Sequence, residues 1–134
     1  IGAEEAISPI ETLLGYAMSP FALVIGVPPP DALEAGRMLG TRLVATEIPA
    51  YMQLAEALEQ AAFAHPRTAV VVAYALCGFA HVASLAIFVG GVAALAPGRK
   101  ADLAAVAVRA LTAATLACLM VGAVAGTFYR PEAS

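Results

Sequence analysis

The chain has 134 residues and a formal net charge of −3; 61% of its residues are hydrophobic and 13% are charged. Soluble proteins average roughly 45–50% and 25% in the same classes. This composition excludes an ordinary soluble domain and, with a mean hydropathy of +0.84, indicates a membrane protein. The sequence has no long basic run, so nucleic acid is not an expected partner.

The first apolar stretch, residues 12–27, is uncharged and contains Pro20. It is slightly shorter than the roughly 20 residues that an unaided helix needs to cross a bilayer. Pro20 predicts a kink that packed neighbours can accommodate. The prolines at 28–30 cannot continue a helix, and Asp31 after them is a good N-cap for the next one.

The next segment, residues 31–60, has two helix-forming stretches on either side of a polar break. The break contains Thr46, Glu47 and Pro49, and Pro49 disfavours the α conformation at Ile48. Two half-length helices around such a break predict a re-entrant hairpin, because irregular backbone survives at membrane depth only inside protein or beside a watery cavity. A pair of amphipathic helices at the membrane interface is the alternative.

Glu47 is the candidate functional residue of this break. A carboxylate at membrane depth is energetically costly and indicates a functional site. An ionised carboxylate offers only acceptors, so its expected role is to bind hydroxyl groups. A cation ligand and a proton carrier remain open on the sequence alone, and at the membrane interface Glu47 would be a solvated charge.

A long segment, Thr68–Ala96, contains no charged residue apart from His81 and can span a bilayer with tilt. Gly78 predicts a break near its middle, and broken helices are where transporters bind their substrates. His81 and Ser84 are three residues apart and share a helix face, while Phe79 could offer an aromatic face. A core histidine and plain packing are the alternatives for His81 and Phe79 taken alone.

The last apolar segment, Leu103–Phe128, carries a single charge, Arg109, which we expect to snorkel to the interface. Arg99 and Lys100 before it predict a cytoplasmic loop. Small residues recur in both long segments and predict close packing against other helices. The sequence shows no nucleophile–base pair, phosphate loop or metal motif, so we expect neither an enzyme nor a metal site.

Four stretches resemble the C-terminal region of the concentrative nucleoside transporters. They are LLGYAMSPFALVIGVP at 13–28, GTRLVATEIPAY at 40–51, YALCGFAH at 74–81 and ALAPGRKADLAAVAVRALTAATLA at 94–117. Together they cover nearly the whole chain, and the run YALCGFA downstream of a GT(K/R)LV hairpin is highly specific.

The resemblance implies an all-α membrane protein with transmembrane helices, a re-entrant helical hairpin and a broken helix. The implied segments are a scaffold transmembrane helix at 11–27, the hairpin at 31–60, the broken transmembrane helix at 67–96 and the last transmembrane helix at 100–128. The chain would then be the C-terminal part of a longer polypeptide. The ligands of the coupling ion and the residues that recognise the base would lie upstream of Ile1.

The implied function is secondary active transport of nucleosides across the cytoplasmic membrane by alternating access, coupled to sodium or protons. The family is trimeric, so the expected partners are a nucleoside, the lipid bilayer and two further copies of the chain. Two alternatives are a membrane sensor that binds nucleosides without transporting them, and a transporter-like relative for another polyol or nucleobase compound.

The resemblance also assigns substrate contacts to individual residues. Glu47 matches the glutamate of the family's NEF motif, which binds ribose hydroxyls. Phe79 matches the phenylalanine of the GFAN motif. Ser84 matches the serine three residues beyond that motif's asparagine, and the family's asparagine and serine also contact ribose. The chain departs from the family at the two asparagines, which are Thr46 and His81 here.

These departures alter the chemistry of the expected site. An imidazole at His81 has a different donor and acceptor set from a carboxamide and titrates near physiological pH. We expect His81 either to replace the amide as a ribose partner or to shift the coupling toward protons. Thr46 is expected to contact Glu47 on the side away from the substrate. Pro49 stands where the family has a β-branched residue.

Overall fold

The computed structural model describes residues 9–130, apart from the side chain of Glu11. These residues form six α-helices and two short 3₁₀ turns without any strand, which confirms the predicted all-α fold. The helices are α1 (Pro9–Val24), α2 (Ala32–Val44), α3 (Glu47–Glu59), α4 (Pro66–Leu76), α5 (Val82–Leu95) and α6 (Lys100–Phe128). The 3₁₀ turns, Pro29–Asp31 and Pro97–Arg99, precede α2 and α6.

A glycine turn ends α1 before the prolines that follow it. The helix runs through Pro20 and stops at Val24. Gly26 then adopts a φ of +95°, and its N–H donates to the Leu23 carbonyl at 3.0 Å. This is the left-handed position that glycine favours just beyond a helix end. The helix is therefore shorter than the apolar run, because Gly26 ends it ahead of the prolines.

α2 and α3 are separated by Ala45 and Thr46 and form a hairpin. Asp31, before α2, accepts hydrogen bonds from the backbone N–H groups of Ala64 and His65, after α3, so the two ends of the segment meet. Each arm has 13 residues. Such an arm is about 20 Å long, short of a hydrocarbon core of about 30 Å. These dimensions support the predicted re-entrant hairpin, whose depth in a membrane stays a prediction.

The break between the two arms lies earlier in the chain than Pro49. α3 begins at Glu47, and both Ile48 and Pro49 are helical. The expectation that Pro49 marks the break is wrong, because a proline in the first helical turn lacks only an N–H that has no partner within the helix. The irregular residues are Ala45, with ψ −102°, and Thr46, with φ −151° and ψ 179°.

Small residues bring the helices into close contact, as the sequence predicts. A Cβ added at Gly36 of α2 would lie 2.5 Å from the carbonyl oxygen of Gly15 in α1. One added at Gly122 of α6 would lie 2.7 Å from the carbonyl oxygen of Val71 in α4. The pairs α1–α2 and α4–α6 therefore pack at distances that leave no room for a side chain at these positions.

The helices bury a small apolar core and expose many large apolar side chains. The core draws side chains from α1, α2, α3, α4 and α6, and Met38 of α2 and Leu76 of α4 are fully buried in it. Val24, Leu95 and Phe128 are 84%, 88% and 79% exposed. Exposed apolar surface on this scale indicates contact with lipid or with further protein.

α4 and α5 are separated by residues 77–81, where the sequence predicts a broken helix. Gly78 in this stretch has a φ of +159°. A Cβ added there would lie 2.5 Å from Sγ of Cys118 in α6, so the close approach of α6 requires a glycine. In the described part of the chain, only the segment Pro97–Phe128 is long and apolar enough to cross a bilayer in one piece.

Candidate functional site

Two interruptions in the helices meet at one place. The first, residues 45–46, lies between α2 and α3, and the second, residues 77–81, lies between α4 and α5. Glu47 follows the first and His81 closes the second, and Oε2 of Glu47 lies 3.1 Å from Nε2 of His81. Phe79 and Ser84 contact the same histidine. The structure therefore brings together all four side chains that were expected to bind substrate.

Glu47 is the first residue of α3, at the positive end of that helix. Thr46 occupies the N-cap position in an extended conformation, but its side chain makes no capping hydrogen bond. The free N–H groups of the first turn and the helix dipole therefore favour a negative charge on Glu47. The Glu47 side chain is 24% exposed, although its Oε2 is buried. A supporting contact from the Thr46 side chain to Glu47 stays a prediction.

His81 is the N-cap of α5. Its Nδ1 accepts a hydrogen bond from the backbone N–H of Ser84 at 3.0 Å, and Oγ of Ser84 lies 3.5 Å from the backbone nitrogen of His81. This reciprocal arrangement is a capping box. Because Nδ1 accepts, the proton of the neutral ring is assigned to Nε2, which faces Glu47. In this tautomer His81 offers one acceptor nitrogen and one N–H donor, whereas the side-chain amide of an asparagine offers one acceptor oxygen and two N–H donors.

The facing atoms of Glu47 and His81 form an unused acceptor and donor. Their separation of 3.1 Å is that of an ion pair, yet the direction of the ring N–H does not make a hydrogen bond between them. Both atoms are buried and have no hydrogen-bond partner among the described residues. An unsatisfied buried polar atom costs about 1–3 kcal/mol. A ligand hydroxyl that bonds either atom would recover part of that energy.

Ser84 has a local structural role. Its Oγ lies 2.8 Å from the carbonyl oxygens of both Phe79 and His81, to which its hydroxyl proton can donate. The residue is 6% exposed. Because its proton is engaged within the break, Ser84 holds the backbone around His81 in place. A direct contact between Ser84 and a sugar stays a prediction.

Phe79 presents an open aromatic face beside the histidine. Its ring centroid lies 6.3 Å from that of His81, with the two rings tilted by 51°, and the residue is 74% exposed. A groove of about 210 Å³ begins at Phe79 and Ser84 and continues between α5 and α6 past Phe88 and Leu111. The polar pair thus adjoins an apolar surface on which a flat ring could stack.

Two further side chains bond the backbone of the second break. Arg42 of α2 is 2% exposed, and its Nη1 and Nη2 donate to the carbonyls of Ala75 (2.5 Å) and Ala80 (3.3 Å). The hydroxyl of Tyr51 donates to the Ala73 carbonyl at 2.8 Å. No sequence pattern predicted a role for either residue. A charged residue inside the hairpin was the signal that could have identified Arg42.

Asp31 fixes the other end of the hairpin. Its carboxylate accepts hydrogen bonds from the N–H groups of Ala64 (2.7 Å) and His65 (3.1 Å) and from the hydroxyl of Thr68 (2.5 Å). Asp31 occupies the N-cap position of α2 as expected, but its side chain makes no capping bond there and binds the start of α4 instead. Burial raises the pKa of Asp31, but the bonds from Thr68, Ala64 and His65 together lower it below its ordinary value.

Short helices that meet at polar breaks are typical of secondary transporters, in which half-helix ends form the substrate site. A family described as the C-terminus of Na⁺-dependent nucleoside transporters matches residues 3–126, and the chain belongs to this family. The resemblance found in the sequence is thereby confirmed.

The chain is similar to proteins from bacteria and animals. It is 41% identical over 119 residues to the uncharacterized transporter YutK of Bacillus subtilis, covering 89% of this chain and 29% of the relative. It is 40% identical over 119 residues to the putative nucleoside permease NupX of Escherichia coli, with the same coverage. Human solute carrier family 28 member 3 is 35% identical over 128 residues, which are 87% of this chain and 18% of the relative.

A solved structure has the same fold. The protein CNTnw in an inward-facing, substrate-bound state matches with a TM-score of 0.82 and 38% identity, over 89% of this chain and 29% of that one. The chain therefore spans less than a third of the length of each of these relatives.

Proposed function

We propose that the chain forms the sugar-binding part of a transporter that carries nucleosides across the cytoplasmic membrane. The family supports the substrate class. The observation that carries the proposal is the convergence of Glu47 and His81, from two separate breaks, with an unused acceptor and an unused donor 3.1 Å apart. A ribose diol supplies the complementary pair, since each of its hydroxyl groups can both donate and accept.

In this proposal Glu47 and His81 bind the sugar in different ways. One ribose hydroxyl donates to the Glu47 carboxylate, and its neighbour accepts from the Nε2–H of His81. Phe79 lies against the apolar side of the sugar or the edge of the base. Ser84 keeps His81 oriented through the capping box. A nucleobase alone has no vicinal hydroxyls, so this arrangement favours ribosides over free bases.

The remaining features of the transporter are proposals of the same kind. We propose a multi-pass membrane protein that works as a homotrimer by alternating access, as the exposed apolar faces of this chain require partners. Transport is coupled to sodium or to protons through ligands that lie outside this chain. The relatives named above are described as transporters and permeases, and we expect no enzymatic activity.

Uptake into proteoliposomes tests the proposal. The full-length transporter that contains this chain is reconstituted, and labelled uridine or adenosine is added under an inward sodium gradient, an inward proton gradient or no gradient. We expect accumulation above the external concentration under one of the gradients and competition by ribosides but not by free bases. Binding without gradient-dependent accumulation would support a sensor, and stronger competition by free bases or simple polyols would support a carrier of those compounds.

Replacing Glu47 with Gln tests the site within the same experiment. The amide keeps the size of the side chain but loses the negative charge and one acceptor oxygen. Loss of a hydrogen bond to a charged group is worth about 1.5–3 kcal/mol, so uridine affinity should fall at least tenfold. Glu59→Gln, at the exposed end of α3, is the matched control. Equal affinity in the Glu47→Gln variant and the wild type would contradict the assignment of Glu47 to the sugar.

A further inference from the structure

The interruption between α4 and α5 leaves carbonyl groups without their helical partners. A helix that ends has free carbonyls in its last turn, and α4 ends at Leu76. The Cys77 N–H donates to the Tyr74 carbonyl at 3.3 Å, and the hydroxyl of Tyr51 donates to the carbonyl of Ala73. Three carbonyls at this interruption, those of Ala73, Ala75 and Ala80, accept from side chains of the hairpin.

Arg42 supplies donors to both sides of this break. Its Nη1 donates to Ala75, in the last turn of α4, and its Nη2 donates to Ala80, just before α5. The guanidinium is planar and carries its N–H groups in a fixed fork. A single rigid group therefore sets the distance between the end of one half-helix and the start of the next.

The charge of Arg42 is placed where the backbone can stabilise it. The residue is 2% exposed, and among the described residues no carboxylate forms an ion pair with it. The C-terminal end of α4 carries a partial negative charge, which favours a cation at this position. Its partners are therefore backbone carbonyls rather than an acidic side chain.

The bond to Ala80 acts on the cap of α5. The carbonyl of Ala80 and the N–H of His81 belong to one planar peptide group. That N–H faces Oγ of Ser84 in the capping box, and Nδ1 of His81 accepts from the N–H of Ser84. Holding the Ala80 carbonyl therefore holds the peptide from which the imidazole projects toward Glu47.

We infer that Arg42 is a positioning residue for the sugar site: its guanidinium bonds both sides of the break between α4 and α5 and thereby holds Nε2 of His81 beside Glu47. It touches no substrate in this arrangement. The inference rests on the proposed function, because the quantity that Arg42 controls is the geometry of the Glu47–His81 pair.

The test compares Arg42→Lys with the wild-type full-length transporter. Apparent affinities are measured for uridine and adenosine and for their 2′,3′-dideoxy analogues, which lack the diol. Losing one charge-assisted hydrogen bond and the bridge should lower the affinity for the ribosides about tenfold. The dideoxy compounds do not use the pair, so their affinities should change less than about threefold. The ratio of the two affinities is the readout, because a general loss of folded protein leaves it unchanged.

Arg37→Lys is the matched control. Arg37 lies on the same helix, bonds Glu34 at 3.0 Å, and has 25% of its side chain exposed. The same chemical change there should leave the ratio and both affinities at wild-type values. Arg42→Gln is a second variant, which keeps a neutral donor; we expect it to lower the ratio further than Lys. The thermal midpoint in detergent gives the folded fraction of each variant.

The outcomes separate this inference from the proposed function. A wild-type ratio in folded Arg42→Lys overturns the inference, while a reduced ratio in Glu47→Gln alongside it leaves the sugar site standing. Failure of both Arg42 variants to fold, with Arg37→Lys folded, assigns Arg42 to stability alone and overturns the inference as well. If wild type binds ribosides and dideoxy analogues equally, the proposed sugar site fails and the role of Arg42 fails with it.

Discussion

At the scale of single residues, His81 shows how one side chain can replace another through its position in a helix. Asparagine is a strong N-cap because its carbonyl oxygen accepts from the first turn. His81 does the same through Nδ1, and the bond from Ser84 assigns the remaining proton to Nε2. Of the two roles expected from the sequence, this geometry favours replacement of the amide as a hydrogen-bond partner over proton coupling.

We therefore predict that His81→Asn retains function. The amide can cap α5 through its oxygen and donate toward Glu47 through its nitrogen, so uridine affinity should stay within about threefold of wild type. His81→Ala loses the cap and the donor; it should lose about 1 kcal/mol of stability and at least tenfold in affinity. Uptake kinetics and thermal midpoints of both variants check this.

The pH dependence of uptake gives a second comparison between wild type and His81→Asn. If the histidine only provides hydrogen bonds, the two profiles should coincide between pH 5.5 and 8, the range in which a histidine ordinarily changes charge. A profile that flattens in the asparagine variant would instead assign proton coupling to His81. Glu47 is the charged side chain that faces the ring from α3, so Glu47→Gln is measured in parallel.

At the scale of helices, composition and periodicity predict most of the fold. Apolar runs locate α1 and α6, and Gly78 correctly suggests where the helix before α5 stops. The sequence does not predict the donors that make this break possible, because the bonds of Arg42 span 33 and 38 residues. The role of Asp31 was misjudged for a related reason, because tertiary packing decides which helix a turn residue binds. The role of Pro49 was misjudged because the first turn of a helix accepts a proline.

Gly78 carries a prediction about the contact between the break and α6. Gly78→Ala should be destabilised by about 1–3 kcal/mol, because the new Cβ would lie 2.5 Å from Sγ of Cys118. Cys118→Ala removes that sulfur and should restore part of the loss in the double variant. Thermal midpoints of the two single variants and the double variant form a double-mutant cycle. Strict additivity would show that the backbone conformation of Gly78, and not the sulfur, is responsible.

Asp31 carries a prediction about pH. Asp31 lies in the turn before α2, and its pKa is lowered in the folded protein because the bonds from Thr68, Ala64 and His65 outweigh the opposing effect of burial. A lowered folded pKa stabilises the fold above the unfolded value of about 3.9 and loses this contribution as the pH falls through the folded value. Asp31→Asn should therefore be less stable than wild type at pH 7, by about 1–3 kcal/mol, and the difference should shrink below about pH 4.

Thermal unfolding in detergent across this pH range measures the difference. Glu34→Gln is the control, because Glu34 pairs with Arg37 on the half-exposed side of α2 and an exposed ion pair contributes little. If the difference in stability between wild type and Asp31→Asn stays constant with pH, the carboxylate charge is not what holds the hairpin to α4.

At the scale of the whole molecule, the exposed surface divides into two kinds. Large apolar side chains such as Leu95 and Val24 face outward from the helices and need lipid or protein around them. At the meeting point of the two breaks, by contrast, Phe79 and Cys77 are exposed and the Glu47 side chain is partly exposed. Polar groups at membrane depth are sustained only beside protein or a water-filled path, so the proposed transporter function predicts that water reaches this region.

The two cysteines allow that path to be tested. Cys77 is exposed within the break, whereas Cys118 is buried behind Gly78. A charged, membrane-impermeant thiol reagent should therefore modify Cys77 and leave Cys118 unmodified, which mass spectrometry of the full-length transporter can measure. Uridine should slow the modification and a free base should not, because Cys77 lies in the same break as His81, a member of the proposed sugar pair. Modification of Cys77→Ser at the wild-type rate would show that the reagent reacts elsewhere, and equal protection by the free base would place the base, not the ribose, against this break.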